Sequence, residues 1–133
     1  MLGFSKRSRL ILATVLSLLL GGALSGSPQL PRSLFQHWVH SYEEDTKSVI
    51  VYRPATYSFP LSRGRDGFEI QSSGEFTLFG MGPAEHGQKS PGHWERVGDH
   101  EIRVTFTEEK MRSRVLRILS VTQDVLRLER PRS

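Results

Sequence analysis

The chain has 133 residues, with 18 lysines and arginines against 14 acids and no cysteine. The absence of cysteine excludes disulfide bonds, thiolate metal sites and a cysteine nucleophile. Three of the basic residues and none of the acids lie in the first 25 residues, so the remainder is nearly neutral. A nucleic-acid-binding function, which needs a basic surface on the folded domain, therefore loses most of its support.

The first 25 residues have the pattern of an export signal. Three basic residues precede an apolar run from Leu10 to Leu20, and small residues follow that run. This pattern predicts a signal peptide over residues 1–25 that is cleaved after Ser25. A retained membrane anchor is the alternative, but the apolar run is shorter than the ~18 to 20 residues that a spanning helix needs. We therefore expect an exported protein, periplasmic or extracellular, with no stable membrane span after cleavage.

Residues 26–33 contain two prolines and are predicted to form a linker to a single domain over residues 34–133. Short segments in which apolar and polar residues alternate fill that domain and predict about eight strands. The predicted bounds are 34–41, 48–53, 68–71, 75–81, 92–97, 101–107, 114–121 and 125–130. An antiparallel set of this size removes its unpaired edges most simply by closing. The predicted fold is therefore all-β, a small antiparallel up-and-down β-barrel.

Two segments interrupt the alternation. Residues 54–67 contain two prolines and two glycines, and residues 82–91 contain Pro83, Gly87 and Pro91, so both are predicted to be loops. A connection as long as the first is uncommon in a small domain and is more often functional than a hairpin loop. The alternative is a packed loop that closes one end of the barrel.

The order of several short motifs resembles that of the small bacterial lipocalin-like (calycin) β-barrel proteins. The matching motifs are Trp38, Gly74-Glu75-Phe76, Gly92-His93-Trp94, Gly98-Asp99, Ile102-Arg103-Val104 and Leu126-Arg127-Leu128. The segment from Val51 to Glu69 departs from the general pattern and indicates a distinct subfamily. The resemblance implies an up-and-down barrel that binds a small apolar or amphipathic molecule inside it or at its mouth.

The candidate ligand contacts are aromatic and basic side chains in and around the long loop, together with one tryptophan. They are Tyr52, Arg53, Tyr57, Phe59, Arg63, Arg65 and Trp94. For the arginines we favour a structural role, in which bidentate ion pairs with Glu43 and Glu44 staple the loop over the barrel. If the arginines instead point inward, they would receive a carboxylate or phosphate of the ligand. Core packing is the usual role of a tryptophan, and stacking on a ligand is the alternative role that we consider for Trp94.

No catalytic residue, metal site or cofactor is predicted. No Gly-x-Ser-x-Gly motif is present, and a loose metal site at His93, Glu95 and His100 is less favoured than ordinary surface histidines. The leading hypothesis is an exported, non-enzymatic barrel that binds a small hydrophobic or amphipathic ligand and no nucleic acid. The alternative is an envelope interaction module, either an assembly factor or a protease-inhibitor-like barrel, that contacts a protein partner through its surface. A third hypothesis, an enzyme such as a cyclase or isomerase, requires an inward-facing titratable group that the sequence does not identify.

Overall fold

The computed structural model describes residues 29–80 and 87–132, and the predicted signal peptide lies outside them. The predicted fold class is confirmed, since the described chain forms eight antiparallel strands in a closed barrel. The strands are β1 (His37–His40), β2 (Val49–Pro54), β3 (Gly67–Ile70), β4 (Glu75–Phe79), β5 (Lys89–Gly98), β6 (Glu101–Phe106), β7 (Arg114–Val121) and β8 (Leu126–Glu129). Short 3-10 helices, Arg32–Leu34 and Tyr42–Glu44, flank β1. Among the described residues, no helix has the length and apolar character to cross a membrane.

Two of the predicted strand bounds are wrong. The first strand starts at His37, because the chain forms a 3-10 turn over Arg32–Leu34 before it enters the sheet. β5 starts at Lys89, inside the predicted loop, because its first residues pair with Phe79 and the neighbouring end of β4. Pro91 fits within this strand because its carbonyl still accepts a hydrogen bond, here from the Thr107 N–H at 3.0 Å.

The strands follow the order of the chain from β3 to β8, but β1 lies between β2 and β3. β2 and β3 are both antiparallel to β1, so they run in the same direction. Residues 55–66, which we call the crossing loop, must therefore return along the length of the barrel before β3 begins. Connections between strands of the same direction need about a dozen residues, which accounts for the length of this loop. The Ala55 N–H donates to the His37 carbonyl at 3.1 Å, and Arg65 donates to the His40 carbonyl at 3.1 Å. Because packed side chains fill the interior, the loop therefore follows β1 on the outside of the barrel.

Buried apolar side chains fill the barrel. The core consists of Leu34, Trp38, Tyr52, Phe68, Ile70, Phe76, Ile102, Val104, Phe106, Ile118, Leu126 and Leu128. Phe68 is central, with its ring centroid 4.7 Å from that of Tyr52 and 5.3 Å from that of Phe76. Trp38 is fully buried, and its indole N–H donates to the Leu34 carbonyl at 2.9 Å. Leu34 and its 3-10 helix thus cover the end of the barrel at which β1 begins, which we call the base; the opposite end is the mouth.

Candidate functional site

Two arginine–carboxylate pairs join the crossing loop and the end of β2 to the turn after β1. The Arg53 guanidinium donates to Glu44 through Nε at 2.8 Å and through a terminal nitrogen at 2.7 Å. Arg65 donates to both carboxylate oxygens of Glu43, one of them at 2.7 Å. Both pairs are bidentate, which is the strongest geometry available to arginine and a carboxylate. The structure therefore places Glu43 and Glu44 where each engages one of the predicted arginines.

The Arg65 side chain is buried between aromatic rings and hydrogen-bond acceptors of the crossing loop and of the turn after β1. Its guanidinium carbon lies 4.5 Å from the ring centroid of Tyr42 and 4.7 Å from that of Phe59. It also donates to the carbonyls of His40 at 3.1 Å and Pro60 at 3.0 Å. Only 7% of the side chain is exposed. Both terminal nitrogens of Arg65 thus donate to the protein itself, so this side chain holds the loop.

Arg53 is held in a similar way. It donates to the Asp124 carbonyl at 3.1 Å, and its guanidinium carbon lies 4.8 Å from the ring centroid of Tyr57. Its hydrogen bonds hold the pKa of Glu44 down at about 2, from an ordinary value of 4.5, against the opposing effect of burial. The pKa of Glu43 is also lowered, chiefly by its hydrogen bonds with Arg65. Both carboxylates are therefore more acidic in the folded protein than in the unfolded chain.

The lowered pKa of Glu44 predicts a loss of stability in acid. Folded Glu44 binds a proton less readily than Glu44 in the unfolded chain. The contribution of its charged form to the free energy of unfolding is therefore complete above pH 4.5 and disappears as the pH falls towards 2. In urea unfolding measured from pH 7 to pH 2, Glu44→Gln should lower stability at neutral pH and flatten the pH dependence. Solvent partly screens the pair, since 35% of the Glu44 side chain is exposed, so the effect is moderate.

Glu95→Gln is the matched control for this measurement. Glu95 also pairs with an arginine, Arg103, but at 3.4 Å on an exposed surface. Such pairs contribute little to stability, so the control should keep the pH dependence of the unmodified protein. An equal flattening by both substitutions would contradict the assignment of the acid-sensitive contribution to Glu44.

His40 links two carboxylates from different parts of the chain. Its Nδ1 lies 3.0 Å from an Asp66 oxygen and its Nε2 lies 2.8 Å from an Asp45 oxygen. Carboxylates only accept hydrogen bonds, so both contacts are satisfied together when both ring nitrogens carry a proton. The other Asp45 oxygen accepts from the Val51 N–H at 2.8 Å. This cluster fixes the last residue of the crossing loop to β1 and to the turn that follows it.

Sequence reasoning did not identify the Asp45–His40–Asp66 cluster. His40 and Asp66 are 26 positions apart and meet only because β3 pairs with β1. The one available signal was that each residue stands at the end of a predicted strand, where polar side chains of neighbouring strands converge.

A concave region of about 340 Å³ lies at the mouth, and we call it the mouth cavity. Its lining residues come from β2, β7, β8 and the segment after β8: Ile50, Tyr52, Arg114, Val115, Leu116, Leu128, Glu129 and Pro131. Tyr52 belongs both to this lining and to the core, and its ring lies 5.2 Å from that of His40. Burial raises the pKa of the Tyr52 phenol, and the charges of Asp66 and Asp45 raise it further. Tyr52 therefore remains a neutral hydroxyl at the boundary between core and mouth.

The candidate ligand contacts do not form one group. Tyr52 lines the mouth cavity, whereas Tyr57 and Phe59 lie in the crossing loop with ring centroids 4.9 Å apart. Arg63 is exposed in the same loop. Trp94 is remote from them near the base, where its ring lies 5.7 Å from that of Phe35 and its indole N–H donates to the Gln71 carbonyl at 2.7 Å.

A second groove, of about 440 Å³, lies near the base. It is formed by the first described residues and by the β5–β6 and β7 region, including Leu30, Pro31, His100, Ile118 and Val121. Within residues 29–80 and 87–132, no cluster of three or more histidine, aspartate or glutamate side chains is arranged to hold a metal ion. The mouth cavity is the better candidate site, because two core side chains, Tyr52 and Leu128, line it, whereas the groove near the base has one, Ile118.

Comparison of the chain with protein families, with curated proteins and with solved structures finds no match in any of the three. The candidate site is therefore defined by its own geometry.

Proposed function

We propose that this protein is an exported, non-enzymatic barrel that binds a small amphipathic molecule in the mouth cavity. The observation that carries the proposal is the cavity itself, about 340 Å³ in volume, with a floor of core side chains. Ligand sites typically have volumes of ~300 to 1,000 Å³, so the cavity suits a small molecule or one end of a longer one. In this proposal the chain is a distant member of the lipocalin-like proteins, with a filled interior that moves the site to the mouth.

The apolar part of the ligand would contact side chains that face the interior from three neighbouring strands. Ile50, Leu116 and Leu128 are such side chains, and each of them packs in or against the core. Apolar surface removed from water contributes about 25 cal/mol per Å², so a ligand that covers these residues gains affinity without a rearrangement of the barrel.

The polar part of the ligand would face the rim, where charged and hydroxyl groups stand beside the apolar floor. Arg114 lines the cavity, and its guanidinium carbon lies 5.6 Å from the ring centroid of Phe106. The neutral Tyr52 hydroxyl adds a group that can donate to or accept from the ligand. This combination favours a ligand with an acidic or hydrogen-bonding group at one end.

Leu116→Trp is expected to weaken the binding of a small amphipathic probe about tenfold, because the larger ring occupies the mouth cavity. The probe is anilinonaphthalene sulfonate, which is anionic and fluoresces when it leaves water, and the Kd is measured by fluorescence titration. Arg114→Ala should also raise the Kd, since it removes the cation at the rim. Native mass spectrometry before and after organic extraction would then show whether the purified protein carries a natural ligand.

Arg103→Ala is the matched control, because Arg103 is exposed on β6 and contacts Glu95 at 3.4 Å, and neither residue lines the mouth cavity. It should leave the Kd of the probe unchanged. The proposal fails if the unmodified protein does not bind the probe, or if Leu116→Trp binds it as tightly as the unmodified protein while retaining the same circular dichroism spectrum.

A further inference from the structure

Leu61, in the middle of the crossing loop, is presented to solvent without any packing partner. Its relative exposure is 104%, which is the highest of the large apolar side chains in the described chain. The residues beside it, Pro60, Ser62 and Arg63, are exposed as well. Burial of a leucine side chain normally contributes about 1.5 to 3 kcal/mol, so the loop forgoes a substantial stabilisation at this position.

The backbone polar groups beside Leu61 are also available. Within residues 29–80 and 87–132, the backbone N–H and C=O groups of Leu61 and Ser62 have no hydrogen-bond partner. The segment from residue 58 to residue 62 contains neither helix nor turn. Side chain and backbone of the same short segment are thus both available to another molecule.

The two sides of this segment are held firmly on the barrel. On the N-terminal side, the Phe59 ring lies against Tyr57 and under Arg65, and the Pro60 carbonyl accepts a hydrogen bond from Arg65. On the C-terminal side, Arg65 pairs with Glu43, and the His40 N–H donates to the Asp66 carbonyl at 2.9 Å. Arg65 therefore fixes both sides at once. A segment ordered in this way loses little conformational entropy when it binds.

We propose that residues 60–62 bind in the substrate cleft of an endopeptidase whose main specificity pocket accepts an aliphatic side chain, and that the protein inhibits that enzyme. Peptide clefts pair with the main chain of their ligand and place one side chain in a pocket. An unpaired backbone and a single exposed leucine match those two requirements. The hydrocarbon of a lipid surface would use the leucine but would leave the backbone groups unpaired. The proposal does not depend on the mouth cavity.

Because Arg65 holds both sides of residues 60–62, we expect the segment to inhibit the enzyme and not to be released as an ordinary cleaved substrate. Hydrolysis of the Leu61–Ser62 peptide bond adds one water molecule and produces a carboxylate on Leu61 and an ammonium group on Ser62. The new chain ends would remain near each other, because Arg65 holds Pro60 on one side and belongs to the chain on the other. The cleaved segment therefore leaves the cleft slowly, and the enzyme stays occupied.

The test is inhibition of endopeptidases that prefer apolar residues, from the serine, cysteine, aspartic and metal-dependent classes, each assayed with a small chromogenic or fluorogenic peptide. We expect the exported protein to inhibit at least one of them, and Leu61→Asp to raise the inhibition constant about 30-fold or more, as removal of a central contact residue does. Leu61→Arg should weaken the same inhibition and create inhibition of trypsin, which accepts a basic side chain in its pocket.

Leu119→Asp is the matched control, because Leu119 is also an exposed leucine but lies on β7. It should leave the inhibition constant within about twofold, and circular dichroism should show that all variants are folded. The proposal is overturned if none of the enzymes is inhibited, if Leu119→Asp has the same effect as Leu61→Asp, or if the loop is cut and the enzyme immediately regains full activity. Leu116→Trp should inhibit normally, which separates this proposal from ligand binding at the mouth.

Discussion

Replacement of Trp38 by alanine is expected to lower the free energy of unfolding by roughly 3 to 5 kcal/mol, the usual cost of removing a large aromatic side chain from a core. Trp38 is fully buried on β1, the strand that closes the barrel between β2 and β3. The substitution also leaves the Leu34 carbonyl without the indole donor that it has at 2.9 Å. Since small domains are stable by only about 5 to 15 kcal/mol, this loss should be a large part of the free energy of unfolding.

Urea unfolding followed by far-ultraviolet circular dichroism measures this effect without relying on tryptophan fluorescence. Trp94→Ala is the control, because Trp94 is only partly buried near the base. Trp94→Ala should lower the free energy of unfolding clearly less than Trp38→Ala does. Trp38→Phe keeps much of the volume but loses the hydrogen bond, and it provides a folded variant if alanine abolishes folding. Equal losses for Trp38→Ala and Trp94→Ala would contradict the central role of Trp38.

Replacement of Gly67 by alanine is expected to cost about 3 kcal/mol, although it adds only one methyl group. A Cβ atom at this position would lie 2.2 Å from the Trp38 carbonyl oxygen and 3.1 Å from the Val39 Cα. Both neighbours are backbone atoms of β1, so no side chain can rotate to make room. β1 and β3 would have to separate at the junction where the crossing loop ends and where Asp66 contacts His40.

Gly80→Ala is the matched control for this prediction. A Cβ atom there would lie 3.5 Å from the Gln88 carbonyl oxygen, which is an ordinary contact. We expect a change within about 0.5 kcal/mol, as for most substitutions that meet no clash. Thermal unfolding of the two variants under identical conditions provides the comparison. If Gly67→Ala melts at the temperature of Gly80→Ala, the close approach of β1 and β3 is not the reason for glycine at position 67.

The alternation of apolar and polar residues predicted most of the barrel. In β6, Ile102, Val104 and Phe106 are buried while Arg103 and Thr105 are exposed, and β7 has the predicted bounds. Such strands are predictable because side chains alternate between two faces, and only one face meets the core. The candidate ion pairs of Glu43 and Glu44 followed from similar local reasoning, since the acidic turn stands next to β1 and the arginines next to the long loop.

The mouth cavity and the histidine cluster were not predictable in this way. Ile50 lies far from Leu116 and Leu128 in the chain and meets them because β8 pairs with both β2 and β7. The same holds for His40 and Asp66, which depend on the pairing of β1 with β3. The sequence pattern also did not reveal that β1 lies between β2 and β3, because every antiparallel order is compatible with the same alternation.

By itself, the sequence predicted about eight short antiparallel strands without disulfides, because side-chain alternation and residue type act locally along the chain. Only the tertiary structure decided which strands are neighbours, that the interior is filled, and that Arg53 pairs with Glu44 while Arg65 pairs with Glu43. The physical reason is that pairing between distant strands is set by the packing of the whole core. Because the interior is packed, residues 55–66 pass across the outside of β1, and Leu61 is exposed.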